Sequence, residues 1–332
     1  MIIESIKLNN FRCHKEYFLR FNKKTTMIVG ENGCGKTSVL EAIYLGCQGK
    51  SFKAVDKEIL NFDEDFYRVE LGFVDGEKTI VSFDKKANKR CFFIQDKKVA
   101  RLPKKDKYPV ILFEPSNLNL VQTSPTKRRS YFDRSFSQFS ETYYDAVLKY
   151  ERALKQRNEL LKQDIVTSEM LFSWNIMLAK YGTIISRMRR NMIDEINMKF
   201  TEIYRNIAEN NDFVEIKYKV DDFCDENEYL RKLDGNFRKD EILGHTSFGV
   251  HRDDYEFLFN GSLANGTASR GEIRSMILAM KFIEAESLKG KLGKNPLILL
   301  DDVFSELDEK RQKCLTRNFK DNQVIITSVN DI

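Results

Sequence analysis

The sequence predicts an α/β fold split by a helical insertion. Three observations carry this. The run Gly30-Glu31-Asn32-Gly33-Cys34-Gly35-Lys36-Thr37 fits G-x-x-x-x-G-K-[ST]. A long helix-compatible stretch begins at Ser124-Pro125, after which strand patterning returns. Near the end, Pro296-Leu297-Ile298-Leu299-Leu300-Asp301-Asp302 is an apolar strand finishing in two acids.

In chain order, Ile2 to Leu8, Tyr17 to Phe21 and Thr25 to Val29 read as strands, the last running into the glycine-rich loop. Ser38 to Tyr44 reads as the amphipathic helix leaving it, with Gly46 and Gly49 as stops. Residues 68–100 read as a meander with a hairpin turn at Asp75-Gly76. Val110 to Phe113 is a buried strand stopped by Pro115. Ser124 caps a helix with proline at its first position, continuing to about Gln163. After a break at 164–168, apolar residues recur at Leu171, Trp174, Leu178, Tyr181, Ile185, Met188 and Met192, and less strictly through Ile207. Two long helices with a tight turn form an antiparallel hairpin, each arm roughly 55–60 Å. Residues 213–220 alternate as a half-buried strand. The expected divisions are 1–115 and 211–332 for the two halves of the nucleotide-binding domain, and 116–210 for the insertion.

The loop chemistry follows from its residues. Glycines let successive N–H groups turn inward around phosphates, and the helix N-terminus adds partial positive charge. Gly30, Glu31, Asn32, Gly33, Cys34, Gly35, Lys36 and Thr37 are the expected ATP-binding residues. Lys36 reaches the β- and γ-phosphates, and Thr37 with Asp301 holds Mg²⁺. Asp302 is the candidate base for an attacking water.

Composition narrows the function class. The chain has 332 residues, and no stretch is long and apolar enough to span a bilayer, so no membrane role is expected. The N-terminus carries no signal pattern. Cys13, Cys34, Cys47, Cys91, Cys224 and Cys314 include no C-x-x-C pair, which points to reduced thiols in a cytoplasmic protein. The formal charge is +5, too small for a global nucleic-acid signature. Between Lys85 and Lys107, however, ten basic residues face only Asp96 and Asp106, a local +8. Such clusters attract phosphate backbones.

Ala268-Ser269-Arg270-Gly271-Glu272 opens a helix running Ile273 to Leu288, a second anion-binding helix start. Ser305-Glu306-Leu307-Asp308 follows the two acids. The order and spacing of these pieces resemble the ATPase heads of the ABC/SMC superfamily. That resemblance implies an ABC/SMC-type P-loop head with a short antiparallel helical hairpin forming a second lobe. It implies an ATP-dependent homodimer, in which Ser269, Arg270 and Gly271 contact the partner's ATP and Arg12 touches the same nucleotide. Asn10-Phe11-Arg12, Ser124-Pro125 with Arg128-Arg129 and Phe132-Asp133, the run Tyr150 to Asn158, and His251-Arg252-Asp253-Asp254 narrow it further. Over nearly the whole chain they resemble the RecF family of bacterial recombination mediators. This implies a weak, DNA-stimulated ATPase used as a switch, acting on single- or double-stranded DNA at gaps or junctions. It also implies work with RecR and RecO to load RecA, and support of SOS induction. Lys104, Lys105, Arg128, Arg129, Arg189 and Arg190 are the expected DNA contacts.

Departures from the superfamily pattern favour feeble hydrolysis. Glu114-Pro115-Ser116 stands where a glutamine loop belongs, Thr327-Ser328 where a switch histidine belongs, and Asp302 where glutamate is usual. Val250 takes a position the family usually gives to proline, and His251 to Asp254 reads as a structural Arg–Asp network. A transporter ATPase would need the missing loop and histidine. A chromosome-organising head would need longer arms, a nuclease would need a further acidic cluster, and a small-molecule kinase has no use for the Ser269 helix.

Overall fold

The computed structural model describes residues 2–220, 223 and 225–329. Cys224 therefore lies outside the described residues. The chain forms two compact units. One comprises everything through Asn117 and from Glu284 onward, and the other is Leu118–Ile283. The first division falls close to the expected residue 115. The second lies far beyond 210, for a reason given below.

The first unit opens with β1 (Ile3–Phe11), β2 (His14–Arg20), β3 (Thr25–Val29) and α1 (Lys36–Gln48). A single turn α2 (Asp56–Ile59) precedes β4 (Phe66–Phe73), β5 (Lys78–Asp84), β6 (Lys89–Ile94) and β7 (Lys97–Val99). The expected meander is part of a larger antiparallel sheet of order β2-β1-β4-β5-β6-β7. The Asp75-Gly76 turn is present, with Gly76 at φ 83°. β8 (Val110–Phe113) is buried at every position and runs into the turn α3 (Pro115–Leu118).

The second unit contains α4 (Pro125–Phe139), α5 (Glu141–Leu160) and α6 (Ser168–Ala208). The first arm of the expected hairpin is thus two helices. Ser140 is extended, and its hydroxyl accepts from the Tyr143 N–H at 3.2 Å, so it starts a new helix instead of continuing the old one. α5 and α6 pack antiparallel: Arg157 Nε donates to Asn175 Oδ1 at 2.7 Å, and Arg189 Nε to the Tyr143 hydroxyl at 2.9 Å. The apolar stripe from Leu171 to Met192 has no exposed member.

β9 (Val214–Lys219), α7 (Glu226–Gly235), α8 (Phe237–Leu243), β10 (Asp254–Phe259), β11 (Ser262–Leu263) and the kinked turn α9 (Ala264–Thr267) follow. The strands form a small antiparallel sheet of order β11-β10-β9. α6 side chains hydrogen-bond this sheet directly. Asn197 bonds both the N–H and the carbonyl of Ile216, at 2.9 and 2.8 Å, and Thr201 does the same for Val214, at 3.1 and 2.7 Å. Phe132 of α4 lies 4.0 Å from the Tyr255 ring of β10. These bonds tie the strands after residue 210 to the helices, so the expected boundary at 210/211 is replaced by one at Ile283.

α10 (Arg270–Leu292) carries the chain back to the first unit. There β12 (Leu297–Asp301), α11 (Glu309–Asn318) and β13 (Val324–Ser328) complete a parallel sheet of order β3-β13-β12-β8. α1 contacts strands of both sheets. Its residues Val39–Gln48 are all buried, so the helix expected to be amphipathic is apolar nearly all round. Gly49, at φ 75°, ends it, whereas Gly46 lies inside it with no room for a Cβ beside Leu71. Among the described residues, no helix is long and apolar enough to cross a membrane.

Candidate nucleotide-binding site

The glycine-rich loop is anchored at both ends. The Gly30 N–H donates to the Ser328 carbonyl at 3.2 Å, fastening the end of β3 to β13. At the other end Lys36 is buried, and its Nζ donates to the carbonyls of Gly30 (2.6 Å) and Glu31 (2.9 Å). Gly33 and Gly35 have φ of 86° and 96°, the left-handed region that glycine enters without steric cost. A Cβ on Gly35 would stand 2.4 Å from Cys13 Sγ and 2.5 Å from His14 Nε2. Glu31, Asn32, Gly33 and Cys34 are exposed, leaving the loop's face open.

The acids meet this loop across the parallel sheet. Thr37 Oγ1 donates to Asp301 Oδ1 at 2.8 Å, joining residues distant in sequence. The β12–β13 register places Thr327 opposite Asp301. The buried Thr327 hydroxyl lies 3.1 Å from the same Asp301 oxygen and accepts the Asp302 N–H at 2.9 Å. Burial pushes the Asp301 carboxyl above its ordinary range, partly offset by the Thr37 and Thr327 hydroxyls. Asp302 adopts φ 51°, with its backbone carbonyl accepting from the Ser305 hydroxyl at 2.9 Å, and its buried Oδ1 has no hydrogen-bond partner among the described residues. An orphaned carboxylate oxygen beside a threonine–aspartate pair and a glycine cradle is the donor set that a metal-bound nucleoside triphosphate needs. These residues fit ATP and Mg²⁺.

Thr327 was visible in the sequence only as the residue occupying the histidine position; the strand register gives it a part in holding both acids. Arg12, at φ 54°, sits in the tight turn between β1 and β2. Its guanidinium is clamped by both Glu41 carboxylate oxygens, each at 2.9 Å, and by the Glu58 carbonyl at 2.7 Å. Glu41 is buried in α1 and also accepts from Ser51 at 2.5 Å. Glu41 and Ser51 carried no sequence signal.

In the second unit, Ser269 and Glu272 form a reciprocal capping box at the start of α10. The Ser269 N–H donates to Glu272 Oε2 at 2.6 Å, and the Glu272 N–H to Ser269 Oγ at 3.3 Å. Ser269 and Arg270 are exposed, and Gly271 is half-buried.

A model of the RecF/RecN/SMC N-terminal domain matches residues 2–331. Clostridioides difficile (strain 630) has a DNA replication and repair protein RecF that is 34% identical over 342 aligned positions, covering 99% of this chain and 91% of that protein. The chain belongs to the RecF family. The RecF of Alkaliphilus oremlandii is likewise 34% identical, with 99% and 93% covered. Among solved structures, the recombination mediator RecF bound to ATP, of the RecFOR pathway, superposes with a TM-score of 0.88 at 27% identity. That comparison covers 99% of this chain and 92% of the other. An α/β head of the ABC/SMC class is therefore the fold of this RecF-family member.

The expected DNA contacts divide. Arg189 is 3% exposed and paired with Asp133 at 2.8 Å and Asp253 at 3.1 Å, so it is withdrawn from the set. Arg128 is held by both Asp254 oxygens, at 2.8 and 2.6 Å, and Arg129 by the Asp253 carbonyl at 2.7 Å, which makes both structural first. The His251–Asp254 segment is thus the Arg–Asp network expected from its residues. Lys105 and Arg190 are exposed, and Lys104 is half-buried. Burial, then the charges of Lys50 and Lys104, pushes Lys107 below its ordinary value, the mark of crowded cations.

Proposed function

We propose that this protein is an ATP-switched DNA-binding protein of recombinational repair and replication, with weak DNA-stimulated ATPase activity. The carrying observation is the Thr37–Asp301–Thr327 chain beside the unpartnered Asp302 oxygen, set against a left-handed glycine cradle. Bound Mg²⁺-ATP supplies a hydrolysable phosphoanhydride. The loop N–H groups from Gly30 to Gly35 cradle its phosphates, and Lys36 exchanges its carbonyl contacts for phosphate oxygens. Thr37 and Asp301 hold the metal, and Asp302 orients water. A carboxylate one methylene shorter than glutamate, with Thr327 in place of a histidine, suits a slow timer.

The helix start at Ser269–Gly271, with Ser269 and Arg270 exposed, supports a composite site in which one head's cap closes the other head's nucleotide. Two joined heads present their basic surfaces together, at an affinity for DNA that one head lacks. The RecF structures of the RecFOR pathway, one with ATP and one with ATPrS, support the ligand and a place in that pathway. The proposal extends this to partnership with RecR and RecO, RecA loading at single-strand gaps, SOS support and a cytoplasmic location.

The test is the solution mass with and without Mg²⁺-ATP, in an Asp302→Asn background. Dimers are expected only with ATP. Lys36→Ala should abolish dimerisation, and Ser269→Arg should block it while sparing ATP binding. Dimerisation by both variants would sink the composite site.

A further inference from the structure

The phosphate loop carries an exposed thiol, and so does the hairpin beside it. Cys13 occupies the two-residue turn joining β1 and β2, whose register is fixed up to the Phe11–His14 pair. Its Sγ stands 4.0 Å from the Cys34 carbonyl oxygen and packs where a Gly35 Cβ would lie. His14 Nε2 reaches the Gly35 carbonyl at 3.2 Å, so the hairpin tip is laid against the Cys34–Gly35 peptide. Cys34 Sγ rests over Gly30, 2.7 Å from where its Cβ would be, on the exposed face of the loop. Tyr17 packs on His14 with the rings tilted and their centroids 4.7 Å apart, bracing the hairpin tip.

We propose that Cys13 and Cys34 are an oxidisable thiol pair, joined by peroxide into a disulfide that closes the phosphate loop to nucleotide. The inference rests on the reading of this loop as the ATP site. The chemistry balances with hydrogen peroxide as oxidant. One thiolate attacks a peroxide oxygen, the O–O bond breaks, and a sulfenic acid and hydroxide form. The second thiol's sulfur then displaces the sulfenic oxygen as water, forming the S–S bond. Two electrons leave the sulfurs and reduce the peroxide. The new bond ties the middle of the loop to a rigid hairpin, so Gly33–Gly35 can no longer turn their N–H groups around a phosphate. Bound nucleotide, covering Cys34, protects the pair.

The experiment treats the full-length protein with hydrogen peroxide and reads two quantities. Peptide mass spectrometry should find Cys13 linked to Cys34, and affinity for a fluorescent ATP analogue should fall at least tenfold, both reversed by dithiothreitol. Preincubation with ATP should suppress the cross-link. Cys13→Ser should bind the analogue like the wild type and keep that affinity after peroxide. Absence of the linked peptide overturns the proposal, as does a linked protein that binds nucleotide normally. Failure of the reduced wild type to bind the analogue counts against the ATP reading instead, since the linked peptide is scored without nucleotide.

Discussion

Arg189 and Arg190 separate a structural arginine from a proposed DNA contact. The Arg189 Nε donates to Asp133 and Tyr143, its Nη1 to the Val250 carbonyl and Asp253, and its Nη2 to both Asp133 oxygens, all between 2.8 and 3.2 Å. The side chains of Arg189 and Asp253 are each 4% exposed. Arg189→Ala takes the guanidinium away from both carboxylates, leaving the Tyr143 hydroxyl on Asp133 and the Tyr218 hydroxyl on Asp253 among their remaining contacts. Removing one partner of a buried pair costs about 3–5 kcal/mol. For a unit of this size that is a fall in Tm on the order of 10 °C. Differential scanning calorimetry reads the stability. Titration of a gapped duplex at several salt concentrations reads the DNA contacts, because each lost phosphate contact lowers the log–log slope by about 0.9. Arg189→Ala should lose stability and keep the slope of the folded protein, whereas Arg190→Ala should keep stability and lose about one contact. An Arg189→Ala protein that melts like the wild type, or that binds DNA with a reduced slope while folded, refutes the assignment.

Other perturbations test neighbouring parts of the structure. Gly35→Ala forces a Cβ into a left-handed residue and against Cys13 and His14; with about 1–2 kcal/mol for the backbone alone, ATP affinity by calorimetric titration should fall tenfold or more. The neutral His251 ring donates from Nε2 to the Thr246 carbonyl (3.0 Å) and accepts the Tyr150 hydroxyl at Nδ1 (2.8 Å), and burial pulls its pKa down to about 4. Because the folded value lies below the unfolded one, this stability is full above about pH 6.5 and is lost as pH falls toward 4. Denaturant midpoints should show about 2 kcal/mol less stability at pH 5 than at pH 7, and His251→Gln should flatten that dependence. Lys105→Ala, at an exposed position in the basic cluster, should reduce the salt slope for DNA by about one contact without moving Tm; an unchanged slope removes Lys105 from the interface.

What was legible in the sequence, and what was not, divides by whether the signal is local. The loop, its flanking strand and the two acids are contiguous motifs, and they come together as expected because parallel strands end at the same edge. α1 looked amphipathic because its polar residues Glu41 and Gln48 break an apolar run, but both are buried on specific partners, Arg12 and the Tyr108 carbonyl. No pattern within thirteen residues reveals a second sheet on the other side. Ser140 is one hydroxyl in a helix-compatible stretch, and only its capping bond makes it a break. Arg189 and Arg190 look interchangeable as a basic pair, yet a signal was present. Arg189 lies four residues after Ile185 and three before Met192, on the buried stripe of α6, while Arg190 lies off it. A charge on an apolar stripe costs too much to bury unless carboxylates meet it, and the sequence holds those carboxylates at Asp133 and Asp253, far apart along the chain. The periodicity that located the helix thus also marked which arginine would be drawn inside, and the pairing that tolerates it there is tertiary.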